Sequence, residues 1–313
     1  MSTHRSLRVT AKEEVADQVV SLVLEDAEGS ELPAWLPGAH IDIELANGVT
    51  RQYSLCGDPA DGHWRIAVLR EPEGRGGSAF VHDELVVDGE VRTQGPRNHF
   101  EFVDADSYLF VAGGIGITPL LPMIEAATRA GAPWRLLYGG RTRPSMAFAD
   151  TLLESHSDRV TLAPADEVGL LDLESALGGV DDGCVVYCCG PEPLLLAIED
   201  VSHRLGVRLH VERFTAKSTP DNAVDSAFEV ELAQSGQVIQ VGSDESILSA
   251  VLDAGIDADF SCREGTCGTC EVGVLSGDID HRDSVLDADE AAEGDAMMIC
   301  VSRCTSKRLV IDL

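Results

Sequence analysis

Three cysteines crowd into the nine residues CREGTCGTC at 262–270, and a fourth stands at Cys300. Four residues separate Cys262 from Cys267, two separate Cys267 from Cys270, and 29 lead on to Cys300. Four thiolates so spaced suit the two irons of a 2Fe-2S cluster, three of them on one tight loop whose N–H groups face the sulfurs and tune their potential. Gly265 and Gly268 let such a loop turn sharply and bring backbone close to the cluster. Ser261, Arg263 and Thr269 can add hydrogen bonds. A structural zinc site also takes four cysteines, but usually as two short-spaced pairs. Only one C-x-x-C is present, because three residues separate Cys300 from Cys304, which reads as a packed thiol.

Two further stretches have the form of nucleotide loops. LFVAGGIGITPLLPMI at 109–124 runs from a strand through Gly113, Gly114 and Gly116 to Thr118, Pro119 and a helix, the form that binds a pyrophosphate at a helix N-terminus. It departs from G-x-G-x-x-G, because Pro119 stands where a third glycine would be. VVYCCGPEPLLLAI at 185–198 repeats the geometry and places Cys189, Gly190 and Pro191 at the end of another strand. Ligands of open α/β sheets bind beyond such strand ends. A third loop, GRGGSAFVHDEL at 74–85, is a glycine turn entering a helix, where Gly77 and Ser78 can direct N–H and hydroxyl donors at a phosphate and Arg75 supplies charge. His82 and His99 lie nearby without a spacing that compels catalysis, and both read as structural or solvent-facing.

These residues need elements to hold them. Residues 7–103 alternate in short segments such as IDIEL and WRIAVLR between Gly, Pro and Asp turns, which predicts an antiparallel barrel or sandwich. From 107 the pattern becomes strand, loop and helix repeated, which predicts a mostly parallel sheet. TAKSTPDNAVDSA, from Thr215 on, is polar and aperiodic and reads as a linker. FEVELAQSGQVIQVG then predicts a hairpin about Ser235–Gly236, followed by a short helix at ESILSAVLDAG with Gly255 as its C-terminal stop. The expected division is 1–103, 104–213, a linker at 214–226, and 227–313.

From Phe228 to Leu313 the chain resembles plant-type ferredoxins, an α+β (β-grasp) fold. The G-G-x-G-x-x-P and C-G-P loops resemble the nicotinamide domain of the ferredoxin-NADP reductase superfamily. RQYSL at 51–55 resembles that superfamily's flavin motif R-x-Y-S. The resemblance implies that Arg51 meets the flavin phosphate, Tyr53 packs by the ring and Ser54 faces N5, with Cys189 near the nicotinamide. It also implies that the aromatic of HVERF, Phe214, covers the isoalloxazine. The module order narrows the resemblance to phthalate dioxygenase reductases and vanillate demethylase-type reductases, over nearly the whole chain. That group implies FMN, in keeping with GRGGS and GPRNHF and with no counterpart of the segments that hold the adenosine half of FAD.

The implied fold is therefore a multidomain chain: an antiparallel β-barrel flavin domain, an α/β parallel-sheet nicotinamide domain and the ferredoxin domain. The implied function is electron transfer from NADH through FMN and 2Fe-2S to a terminal oxygenase of the Rieske non-haem iron kind. Nicotinamide gives up two electrons as a hydride and the cluster takes one at a time, so a flavin between them needs positioning rather than an acid–base triad. The same chain serving another acceptor, and a zinc-binding protein without activity, are the alternatives. Arg141 and Arg143 follow the second strand of the nicotinamide domain with no acidic residue evident for a ribose 2′-hydroxyl, yet the resemblance favours NADH.

The 313 residues carry 54 acidic against 23 basic side chains, a formal charge of −31. That repels nucleic acid and anionic lipid. It suits either solubility in a salty cytoplasm or a partner with a basic patch. The longest uncharged stretch, 107–124, is broken by three glycines and two prolines and does not read as a membrane span. The N-terminus has no signal-peptide h-region, so a cytoplasmic location is expected.

Overall fold

The computed structural model describes residues 4–216, 226–286 and 288–313. Most of the expected linker, 217–225, lies outside the described residues. The chain divides after Glu212 into two compact units.

The first unit opens with β1 (Arg5–Ala16), β2 (Val19–Asp26), β3 (His40–Glu44), β4 (Thr50–Ser54), β5 (Trp64–Leu69), α1 (Gly77–Asp83) and β6 (Glu90–Arg97). The six strands form one antiparallel sheet in the order β4-β3-β6-β1-β2-β5. Cys56 N–H donates to the Arg65 carbonyl at 2.8 Å, so the chain just past one edge strand meets the other edge and the sheet rolls toward a barrel. Leu7, Val9, Leu22, Leu24, Ile41, Ile43 and Ile66 alternate inward with Trp35 and Trp64 to fill it. Lys12 on β1 places its ammonium 2.7–2.8 Å from the carbonyls of Val81, His82 and Leu85, capping the C-terminal end of α1. His82 bonds the Val68 carbonyl at 2.9 Å, a structural tie between α1 and β5.

The same unit continues with β7 (Ser107–Gly113), a 3-10 turn (Gly114–Ile117), α2 (Leu120–Ala130), β8 (Trp134–Gly140), α3 (Ala149–His156), β9 (Val160–Pro164), α4 (Ala165–Val168), α5 (Leu173–Gly178), β10 (Cys184–Cys189), α6 (Glu192–Leu205) and β11 (Arg208–Glu212). All five strands are parallel, in the order β11-β10-β7-β8-β9. Neighbouring residues of β7 go to opposite faces: Phe110 and Ala112 join a core under α2 and α3, Leu109 and Val111 one under α5 and α6. Both faces are covered, which is why LFVA is apolar without alternation. Cys184 and Cys188 are packed in the second core. The strand order reverses between β7 and β10, so the Gly113–Gly116 and Cys189–Pro191 loops flank the switch point where such sheets bind ligands.

The second unit holds β12 (Phe228–Leu232), β13 (Gln237–Val241), α7 (Ile247–Asp253), β14 (Glu271–Ser276), β15 (Ile279–Asp280), α8 (Ala288–Glu293), β16 (Ala296–Met298), β17 (Arg303–Cys304) and β18 (Arg308–Ile311). β12 and β13 form the expected hairpin, and β18 lies parallel to β12 in the order β13-β12-β18-β14-β16. Ser246 caps α7 by accepting from Ser249 N–H, and Gly255 follows its end at φ +79°. The buried Arg303 donates to the carbonyls of Glu245, Gly242 and Ser226 at 2.6–3.1 Å, fastening the chain after Cys300 to the loop before α7.

Candidate functional site

The cluster loop between α7 and β14 brings the four predicted cysteines together. The thiol of Cys262 is hydrogen-bonded with those of Cys267 and Cys300, and Cys270 with Cys300, so the sulfurs meet in the sequence Cys267–Cys262–Cys300–Cys270. These shared hydrogen bonds lower the Cys262 and Cys270 thiols and raise those of Cys267 and Cys300. The shared protons are those that metal binding would release. Among the described residues no Cys, His, Asp or Glu group of three is disposed around a single ion. The spacing of four, two and 29 residues, with a single C-x-x-C, suits two irons better than one zinc. Glu264 N–H donates to Cys262 Sγ at 3.3 Å and Thr269 Oγ1 lies 3.2 Å from Cys267 Sγ, donors of the kind that tune thiolates. Cys304 is turned away, its sulfur 3.0 Å from Ser306 Oγ and 3.2 Å from its carbonyl.

In the first unit β4 presents Arg51 and Tyr53 on one face and Ser54 on the other, the period of a strand. Arg51 crosses Gly77 so closely that a Cβ there would stand 2.8 Å from Arg51 Cγ. The arginine of one predicted phosphate contact thereby lies against the start of α1, where Gly76 (φ +84°) and Gly77 precede Ser78. Ser78 Oγ accepts from Glu71 N–H at 3.0 Å, leaving its hydroxyl proton to donate elsewhere. Arg75 is exposed beside it. Burial pushes the Tyr53 phenol up to about 12, so it stays neutral.

At the switch point the two loops meet backbone on backbone. A Cβ on Gly116 would lie 2.2 Å from the Cys189 carbonyl oxygen, and one on Gly190 3.0 Å from Gly113 Cα. Only glycine permits this approach, which packs Gly113 and Gly116 of the first loop against Cys189, Gly190 and Pro191 of the second. Thr118 is buried and donates its hydroxyl to the Ile115 carbonyl at 2.9 Å, closing the turn before Pro119. Arg141 is exposed one residue past β8. Phe214 falls in the second unit, two residues beyond β11, and is 43% exposed.

Glu212, the last residue of β11, has no counterpart in the sequence reading. It stands in register beside Cys189 of β10, whose thiol lies 3.9 Å from its carboxylate, while Ser54 Oγ approaches to 3.5 Å. Three strands thus converge Ser54, Cys189 and Glu212. Burial lifts the Glu212 carboxyl to about 8, partly offset by the Ser54 and Cys189 hydrogen bonds. Burial, and then Glu212, push the Cys189 thiol well above its ordinary range, so it is no thiolate nucleophile. The only cue in the sequence was an acidic residue ending an otherwise ordinary strand. A cavity of about 210 Å³ lined by Cys56, Arg65, Glu125, Phe148 and His156 also opens in this unit, but includes none of the expected cofactor residues.

Residues 230–305 match the family model of the 2Fe-2S iron-sulfur cluster binding domain. The whole chain is similar to the phenoxybenzoate dioxygenase subunit beta of Ectopseudomonas oleovorans, 42% identical over 98% of this chain and 97% of that protein. It is also similar to the crystal structure of phthalate dioxygenase reductase, described as a modular structure for electron transfer from pyridine nucleotides to [2Fe-2S]: 36% identity, TM-score 0.71, 99% of this chain and 98% of that one.

The chain belongs to the phthalate dioxygenase reductase family.

It is the flavin and iron–sulfur reductase component of an oxygenase system, built as an antiparallel flavin barrel, a parallel α/β nicotinamide domain and a ferredoxin domain. This reductase is also similar to part of an intact type IV self-sufficient cytochrome P450 monooxygenase, at 43% identity and TM-score 0.93. It covers 41% of that longer chain. No helix among the described residues is long and apolar enough to cross a membrane.

Proposed function

We propose that this reductase takes electrons from NADH, through FMN and a 2Fe-2S cluster, to a Rieske-type non-haem iron oxygenase in the cytoplasm. The convergence of Ser54, Cys189 and Glu212 from three strands carries the reading, because it builds a water-poor corner where neutral hydroxyl, thiol and carboxyl groups line one place.

Arg51 and Arg75, with the N–H groups at Gly77 and Ser78, would hold the flavin phosphate, and Tyr53 would pack against the ring. The loop of Gly113, Gly114, Gly116, Thr118 and Pro119 would take the pyrophosphate of the nicotinamide cofactor. Arg141 would lie by its ribose, and Cys189, Gly190 and Pro191 by its ring. Phe214 is assigned to cover the isoalloxazine. Cys262 and Cys267 would hold one iron, Cys270 and Cys300 the other. A bound flavin supplies the exchange between paired and single electrons. The chain's own part is to orient: Ser54 offers a hydroxyl, Glu212 keeps a proton at neutral pH, and the crossing of Gly116 over Cys189 fixes the ring-side loop. FMN is favoured over FAD because no segment matches those that hold the adenosine half.

Purified protein should carry FMN on extraction, show the visible absorption of 2Fe-2S and oxidise NADH with an added Rieske oxygenase. Release of FAD, or no transfer to any Rieske protein, would refute the respective parts. The likeness to the reductase part of a cytochrome P450 monooxygenase favours a second reading, in which the acceptor is a P450 haem. Assay against both acceptor classes decides between them.

A further inference from the structure

Arg141 and Arg143 follow β8, where the sequence shows no acidic residue evident for a ribose 2′-hydroxyl. The fold supplies one. Arg143 begins a 3-10 turn, Arg143–Ser145, closed by a reciprocal box between Thr142 and Ser145 and tied to the barrel by Asp17 N–H donating to the Pro144 carbonyl at 2.9 Å. The chain then turns through Phe148, at φ +60°, into α3, whose first turn swings Asp150 back onto the guanidinium. Arg143 Nη2 and Asp150 Oδ1 form an ion pair. The turn sits at the carboxyl end of β8, whose Gly139 pairs with Gly113 of the pyrophosphate loop. That is where sheets of this kind read the adenosine ribose. Asp166 and Glu167 on α4 stand exposed nearby, and Asp166 N–H donates to the Arg141 carbonyl at 3.2 Å. One of the two arginines, Arg143, is therefore paired with a carboxylate.

We propose that Asp150 determines the cofactor preference: by pairing with Arg143 it withholds the guanidinium from a ribose 2′-phosphate and adds a like charge against it. The inference rests on the NADH reading above. A 2′-hydroxyl carries no charge and meets no such opposition, whereas a dianionic phosphate must displace or abut the carboxylate.

The test is the ratio of kcat/KM for NADPH to that for NADH in the full chain, for wild type, Asp150→Asn, Asp150→Ser and Arg143→Gln/Asp150→Asn. Both single variants keep a polar group in the first turn of α3, and melting curves check folding. The ratio should rise about fivefold in each single variant at low salt and shrink toward the wild-type value at high ionic strength. It should return to the wild-type value in the double variant, because Arg143 is the group set free. Inhibition by 2′,5′-ADP relative to 5′-AMP should strengthen in step, reading binding without turnover. An unmoved ratio, or a rise that survives loss of Arg143, overturns the inference. A wild-type preference for NADPH overturns the NADH reading instead, and is seen before any variant is made.

Discussion

Glu212→Gln isolates the titration of the buried carboxyl while keeping a hydrogen-bonding side chain of the same shape. In the folded chain burial lifts this group from its ordinary 4.5 to about 8. A carboxyl raised in this way binds its proton more tightly folded than unfolded. Its contribution is present in full below about pH 4.5 and is lost as pH rises to about 8. Linkage between those two values, with partial solvent access to the residue allowed for, gives a loss of about 2 kcal/mol between pH 5 and pH 7. The Gln variant does not titrate there, so its stability relative to wild type should grow by that amount across the interval. Trp35, Trp64 and Trp134 are the chain's three tryptophans, all buried and all before residue 213. Denaturant unfolding followed by tryptophan fluorescence at pH 5, 6 and 7 therefore reports on the unit that holds Glu212. Parallel curves, with a difference that stays within about 0.5 kcal/mol over the interval, would refute a protonated Glu212 at neutral pH.

Other substitutions test the remaining geometry. Cys270→Ser should abolish the visible absorption of the cluster and its bound iron, whereas Cys304→Ser, whose sulfur is occupied by Ser306, should keep both. Gly77→Ala should push Arg51 aside and weaken flavin binding by about tenfold, measured by fluorescence titration of the apoprotein, because a charge-assisted phosphate contact is lost. Gly116→Ala should be far more damaging than Gly178→Ala, because its methyl group meets the Cys189 backbone at 2.2 Å whereas nothing lies within 4 Å at Gly178; soluble yield and NADH oxidation compare them.

The cluster was legible because the cysteines declare themselves by identity and spacing, and the local fold had only to gather four of them. The nucleotide loops were legible for a related reason: glycines at strand ends mark places where backbone must meet backbone, as Gly116 and Cys189 do. Glu212 was not legible, because its meaning comes from the register of β11 on β10 and from Ser54, 158 positions upstream. Asp150 was hidden more locally. Phe148 in the left-handed region starts α3 only at Ala149, and that turn carries the carboxylate back to Arg143. Phe214 is near the boundary of the two units, and its assigned role depends on cofactor rather than on sequence pattern.

Lys12 offers a last consequence. The chain has 20 arginines and only three lysines, so its positive charge is otherwise written almost entirely as guanidinium. At Lys12 three carbonyls of Val81, His82 and Leu85 converge on one point. A tetrahedral ammonium offers three donors radiating from a single atom, and a flat guanidinium cannot gather its donors there. At the tail of this seven-residue helix the preference for arginine gives way, because both side chains carry the same charge and only the ammonium has the shape that the three carbonyls need.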